Sequence, residues 1–156
     1  MSDNRGHVHP KSTAKIGGHP IHPMLVPFPI VCFIGAFVTD IVYNSNNEQG
    51  WATASFWLLG VGLVMAALAA VAGLTDFLGD DRVRGLGDAV KHMLANVTAV
   101  VIEVVNLALR INNPDFIHST GVYLSGVVVL ILLYSGWKGG DLVYKHGVAV
   151  YDRSDL

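Results

Sequence analysis

The sequence predicts an all-α integral membrane protein, a four-transmembrane-helix up-down bundle with both termini in the cytoplasm. Three observations predict it. Of 156 residues, 52% are hydrophobic and only 14% are charged, with mean hydropathy +0.48, whereas soluble domains carry about 25% charged residues. Four apolar runs each have the roughly 20 residues needed to cross about 30 Å of hydrocarbon. Finally, nine of the ten lysines and arginines fall in the segments that such a bundle puts on one side.

Taken in order, residues 1–17 read as a flexible polar arm, 18–150 as the four-helix transmembrane domain and 151–156 as a C-terminal tail. The spans fall at about 24–43, 51–75, 90–109 and 119–137. Pro20, Pro23, Pro27 and Pro29 crowd the first helix start, where a missing N–H is tolerated, and Pro27 and Pro29 are expected to kink or delay the helix. The first run is long enough to be an uncleaved span, not the short apolar region of a cleavable signal. The second run, Trp51 to Thr75, has no charge and carries small residues at four-residue spacing, Ala66 with Ala70 and Ala69 with Gly73. Small residues let helices approach closely in lipid, and Gly121 with Ser125 repeats the pattern in the fourth run.

The connections are short, which makes consecutive helices antiparallel neighbours. Arg5, Lys11, Lys15, Arg82, Arg84, Lys91, Lys138, Lys145 and Arg153 then share one side and Arg110 alone takes the other. The positive-inside rule makes the nine-residue side cytoplasmic. Tyr43, Trp51, Trp57 and Tyr123 are expected in the outer aromatic belt, Tyr134 and Trp137 in the inner one. A net charge of −2 without a basic block gives no signal for nucleic-acid binding. The single cysteine, Cys32, excludes an intrachain disulfide, and without Cys-x-x-Cys-His there is no covalent c-type haem attachment.

The third run holds a polar stripe. His92, Asn96, Ala99, Glu103, Asn106 and Arg110 follow spacings of 4, 3, 4, 3 and 4 and share one helix face. Polar groups in a span are costly, so this face is expected to look into the bundle. Asp40 and Glu103 fall in the outer half and could meet each other or Arg110, as a structural cluster or as a proton relay.

Four histidines from three segments, His19, His22, His92 and His146, fall at the cytoplasmic interface. Haem b needs two axial ligands, an apolar slot and cations for its propionates. His92 and His146 are the preferred axial pair and His22 the alternate, with Arg82, Arg84 and Lys91 available to the propionates. Zinc or copper on His22, His92 and His146 with Asp76 or Asp80 is the alternative cofactor. Histidines that merely cap helices remain a third reading.

The residues also resemble a known family. His22-Pro23 to Phe28-Pro29-Ile30, Gly73-Leu74-Thr75-Asp76, His92, and Gly139-Gly140-Asp141-Leu142-Val143-Tyr144-Lys145-His146-Gly147-Val148 occur in this order over residues 18–150. They resemble an uncharacterised bacterial family of four-helix membrane proteins, domain of unknown function 2231. Many relatives carry a further histidine where this chain has Pro27. The resemblance implies the fold and a bacterial inner-membrane location.

The expected function is a small b-type cytochrome-like protein, or a haem-bearing subunit, passing electrons within a membrane redox complex. The alternatives are a non-catalytic structural subunit, or a proton or ion conductor using Asp40 and Glu103. No catalytic constellation marks an enzyme acting on its own. The expected partners are the lipid bilayer and other membrane subunits or further copies of the chain.

Overall fold

Proline decides where the first long helix begins. In the computed structural model, which describes residues 9–113 and 115–150, the chain enters through a two-residue hairpin. Its strands are β1 (Lys15–Ile16) and β2 (His19–Pro20), paired Lys15 with Pro20 and Ile16 with His19. Gly17 and Gly18 turn it with φ of +57° and +86°, the left-handed pair that suits glycine. A short helix α1 (Ile21–Leu25) follows and stops at Val26. Helix α2 (Pro27–Asn46) then starts with Pro27 in its first turn. Val26 keeps helical φ and ψ, so the prolines interrupt the hydrogen bonding without ending the span: Pro27 and Pro29 cannot donate to the preceding turn.

The other three spans are α3 (Gln49–Gly79), α5 (Gly87–Asn112) and α6 (Val122–Tyr144). A one-turn helix α4 (Asp81–Arg84) lies in the link between α3 and α5. A π-helical turn, Ile117–Gly121, leads into α6. Four segments are long and apolar enough to cross a membrane: Ile21–Asn46, Gln49–Gly79, Gly87–Ile111 and Ile117–Tyr144. Each exceeds the sequence-derived span because the helices continue past the apolar core into polar ends.

The most extensive contacts are α2 on α3 and α5 on α6; α2–α6 and α3–α5 contacts close the ring. Phe33, Ala36, Leu59, Ala66, Ala99 and Val128 form a buried apolar layer between the helices. On α3, Gly62, Ala66, Ala69 and Ala72 line the inner face, whereas Ala70 is exposed. A Cβ on Gly62 would lie 2.7 Å from the Phe33 ring and 2.9 Å from the Cys32 Cβ. This is the close α2–α3 approach that a small residue permits.

One belt assignment changes. Trp51, Trp57, Tyr123, Tyr134 and Trp137 are exposed, but Tyr43 is buried. Its hydroxyl accepts from Gln49 Nε2 at 3.0 Å and its ring stacks on His118 at 4.5 Å. A position late in α2 that faces the bundle gives Tyr43 a partner inside, so it does not face lipid.

The arm is held where it is described. Asp76 Oδ1 accepts from Ser12 Oγ (2.9 Å) and from the backbone N–H groups of Thr13 and Ala14 (2.7 Å each). The Lys11 N–H donates to Asp80 Oδ2 at 3.3 Å, and the Ala149 N–H to the Pro10 carbonyl at 3.0 Å. Arg5, His7 and the tail 151–156 with Arg153 lie outside the described residues.

Candidate functional site

The α5 stripe faces the bundle interior and divides into two polar clusters. The one toward the loop end is built around Arg110. Glu103, Asn106 and Asp40 are fully buried and Arg110 is 3% exposed. The guanidinium grips Asp40 with two parallel bonds of 2.7 Å, Nη1 to Oδ1 and Nη2 to Oδ2. Nη1 also donates to Ser55 Oγ (2.6 Å), Nη2 to Ser125 Oγ (3.1 Å), and Nε to Asn106 Oδ1 (2.9 Å). All five guanidinium donors are therefore used. The serines donate in turn to Asp40, Ser55 to Oδ1 at 2.6 Å and Ser125 to Oδ2 at 2.7 Å. Each carboxylate oxygen thus receives two bonds, the condition under which a buried ion pair offsets its desolvation. Gly121 in the π-helical turn leaves room for the guanidinium: a Cβ there would sit 3.3 Å from Arg110 Nη2.

Glu103 is joined less completely. Oε2 accepts from Asn106 Nδ2 at 2.8 Å, and the same amide nitrogen donates to Ser125 Oγ at 3.0 Å. Oε1 is buried and has no hydrogen-bond partner among the described residues. Asp40 therefore meets Arg110 directly, and Glu103 reaches the pair only through Asn106.

The second cluster lies at the end that carries the termini. His22 projects from α1 and His92 from α5, with ring centroids 6.3 Å apart and planes at 85°. His22 Nδ1 lies 2.8 Å from the Ala69 carbonyl on α3, and His92 Nδ1 lies 2.8 Å from the Ser135 carbonyl on α6. A carbonyl only accepts, so both rings donate from Nδ1. Asn96 Nδ2, one turn along α5, donates to His92 Nε2 at 3.1 Å. Two glycines seat the rings. A Cβ on Gly73 would fall 2.8 Å from His22 Nδ1, and one on Gly139 would fall 3.2 Å from His92 Cε1. The Gly73 and Gly139 of the sequence motifs thus have a steric reason.

The remaining candidates are placed elsewhere. His146 Nε2 pairs with Asp88 Oδ2 at 3.1 Å, one turn before His92 on α5. Lys138 bridges Asp88 and Asp141 at 3.0 Å each. Arg82 forks onto Asp80, with Nη2 to Oδ2 at 2.8 Å, and Arg84 pairs with Asp81. Lys91 is exposed at the start of α5. His19 lines a shallow groove of about 340 Å³ with Pro20, Pro23, Met24, Val143, Val148 and Ala149. Among the described residues no group of three or more His, Cys, Asp or Glu side chains could hold a metal ion. Asp76 and Asp80, offered by the sequence as zinc or copper ligands, are engaged by the arm and by Arg82.

Outside the spans, the Arg82 side chain bonded to Asp80 holds that carboxyl down at about 2. Asp80 also caps α4, accepting from the Arg82 N–H at 2.9 Å.

Sequence reasoning passed over Ser55, Ser135 and Asp88 and read Ser125 only as a small packing residue. A serine in an uncharged run carries a weak signal, and the Ala69 and Ser135 carbonyls carry none, since every residue has one.

Spanning helices that enclose both a saturated ion pair and a carbonyl-anchored histidine pair define a small polytopic membrane protein with a polar interior. Within that class the chain belongs to the family described as predicted membrane protein (DUF2231), which matches residues 18–152. No curated protein and no solved structure matches it.

Proposed function

We propose that the protein is a b-type haem carrier of the bacterial inner membrane, with both termini cytoplasmic, serving electron transfer inside a larger redox complex. The observation that carries this reading is the His22–His92 pair. The two rings come from different elements, α1 and α5, and stand edge to face with centroids 6.3 Å apart, so one iron-centred group could be held between them. Carbonyl anchoring of Nδ1 is the second-sphere arrangement that fixes a ligating histidine's tautomer and orientation. His22 and His92 are the residues that would hold the group, with Asn96 giving up its bond to His92 Nε2. His146, whose Nε2 meets Asp88 Oδ2 at 3.1 Å, is not part of this ring pair. When bound, haem supplies one-electron chemistry. The chain's part is to hold the two imidazoles against Gly73 and Gly139 and on the Ala69 and Ser135 carbonyls. The terminus assignment rests on the described lysines and arginines, of which Lys11, Lys15, Arg82, Arg84, Lys91, Lys138 and Lys145 lie at that end and Arg110 at the other.

The optical spectrum of detergent-purified protein from haem-replete cells tests it. A Soret band is expected, lost in His22→Ala and in His92→Ala and kept in His146→Ala. A colourless, folded preparation would sink the reading, and so would a band indifferent to His92→Ala.

A further inference from the structure

We infer that Glu103 is a proton-binding site at the blind end of a polar half-path that opens at the loop end of the bundle. The inference starts from the orphaned oxygen. Glu103 is fully buried; among the described residues Oε1 has no partner, and Oε2 has only the Asn106 amide. The charged groups of the cluster are Asp40 from α2 and Arg110 from α5 itself; among the described residues α3 and α6 contribute the neutral Ser55 and Ser125. Asp40 and Arg110 cancel each other, and all five donors of Arg110 are spent. An ionised Glu103 would therefore add one unpaired charge to the interior of the bundle, at a cost of several kcal/mol. A bound proton removes that charge.

A metal cation suits the site poorly. Hard cations take about six oxygen ligands, and Glu103 faces an amide N–H and a cationic neighbour. The proton is the occupant that matches this shell.

The path follows polar contacts. His118, exposed in the π-helical turn, lies with Nδ1 3.1 Å from Asn44 Oδ1. Asn44 Nδ2 donates to the Asp40 carbonyl at 2.9 Å. The Asp40 side chain continues from there: its carboxylate accepts from Ser125, and Asn106 donates both to Ser125 and to Glu103, so these groups line the path as far as Glu103. Beyond Glu103 on the same face of α5 comes Ala99, packed with Phe33, Leu59 and Val128. This apolar layer separates Glu103 from Asn96 and His92, so the path has one mouth. The site is independent of haem.

Infrared spectroscopy of the full-length protein in lipid at neutral pH tests the inference. A protonated carboxyl C=O band is expected, shifting when H2O is exchanged for D2O and lost in Glu103→Gln, whose amide oxygen can still accept from Asn106. Glu103→Asp should move the band, which covers a Gln variant that fails to fold. Exchange into D2O should slow in Asn44→Leu, at the mouth, and be unchanged in Thr75→Val, whose hydroxyl bonds only its own helix beyond the apolar layer. The inference is overturned by a missing band, by a band that ignores D2O, by a band that persists in Glu103→Gln, or by exchange that Asn44→Leu leaves unchanged.

Discussion

Arg110 and Asp40 face each other across the bundle through two parallel N–H···O bonds of 2.7 Å, both side chains closed off from solvent. The pair joins α5 to α2, and Ser55 and Ser125 tie it to α3 and α6. One contact thus reaches all four spans. Removing one partner leaves an uncompensated buried charge, which costs about 3–5 kcal/mol. Asp40→Ala and Arg110→Ala are each expected to lower the thermal midpoint in detergent sharply. The double variant should lose less than the sum of the two, because neither charge is then stranded. A double-mutant cycle on midpoints from circular dichroism measures this, and additive losses would refute the coupling.

The sequence discloses this cluster only in part. Spacing on α5 places Glu103, Asn106 and Arg110 on one face, and the cost of charge in lipid turns that face inward. Which acid Arg110 takes is not a periodic property. It depends on the rotation of α2 about its own axis, which Phe33, Ala36 and Asp40 settle together by being buried on one side. For the histidines, sequence brings four to one end, but which of them meet depends on their partners. α1 sets His22 on the Ala69 carbonyl and against Gly73 of α3. His146 comes after α6 has ended and finds Asp88 instead. Partners of that kind are carbonyls and loop geometry, to which no pattern in the sequence points.

Gly73 and Gly139 should behave as seats for the histidine rings. An added methyl would come within 2.8 Å of the His22 ring in Gly73→Ala and within 3.2 Å of the His92 ring in Gly139→Ala. The first is below van der Waals contact and forces the ring off the Ala69 carbonyl; the second demands a smaller shift. Overpacking of this kind costs about 1–3 kcal/mol. Gly73→Ala is therefore expected to destabilise more than Gly139→Ala and, on the proposed function, to diminish the Soret band first. Equal effects on melting and spectrum would show that the rings can be displaced freely. The control Gly60→Ala, where a Cβ meets nothing within 4 Å, should be silent.

Asp80 sets an acid limit on the α3–α5 link. Its carboxyl is held at about 2, below its ordinary value of 3.8, chiefly by the Arg82 side chain. The folded-state value is the lower one, so the stabilising contribution is complete above the unfolded value and disappears as pH falls through about 2. Asp80 is half-buried and its partners are Arg82 and the Lys11 N–H, so the effect is local. Hydrogen exchange at the Arg82 and Val83 amides should quicken over that acid window in the wild type once corrected for intrinsic rates. In Asp80→Ala the amides should exchange fast at every pH. Protection unchanged by Asp80→Ala would assign the turn to backbone bonding alone.

Asp76 should govern whether the N-terminal arm stays on the bundle. One oxygen, Oδ1, gathers the Ser12 hydroxyl and the N–H groups of Thr13 and Ala14, while Thr13 Oγ1 donates to the Thr75 carbonyl at 2.9 Å. The Ile21 N–H returns to the Ala14 carbonyl at 2.9 Å, so the docked arm also fixes the start of α1 and with it His22. Asp76→Ala strands several donors at once, each bond to a charged acceptor being worth about 1.5–3 kcal/mol when sheltered and less in contact with water. The expected result is faster amide exchange at Thr13 and Ala14 and new protease cleavage around Lys11 and Lys15, with the spans still folded by circular dichroism. Asp76→Asn should restore part of the protection, since its amide oxygen still accepts. If trypsin cuts wild type and Asp76→Ala at the same rate, the arm is held elsewhere, and the Pro10–Ala149 bond at the chain's other end becomes the anchor to remove next.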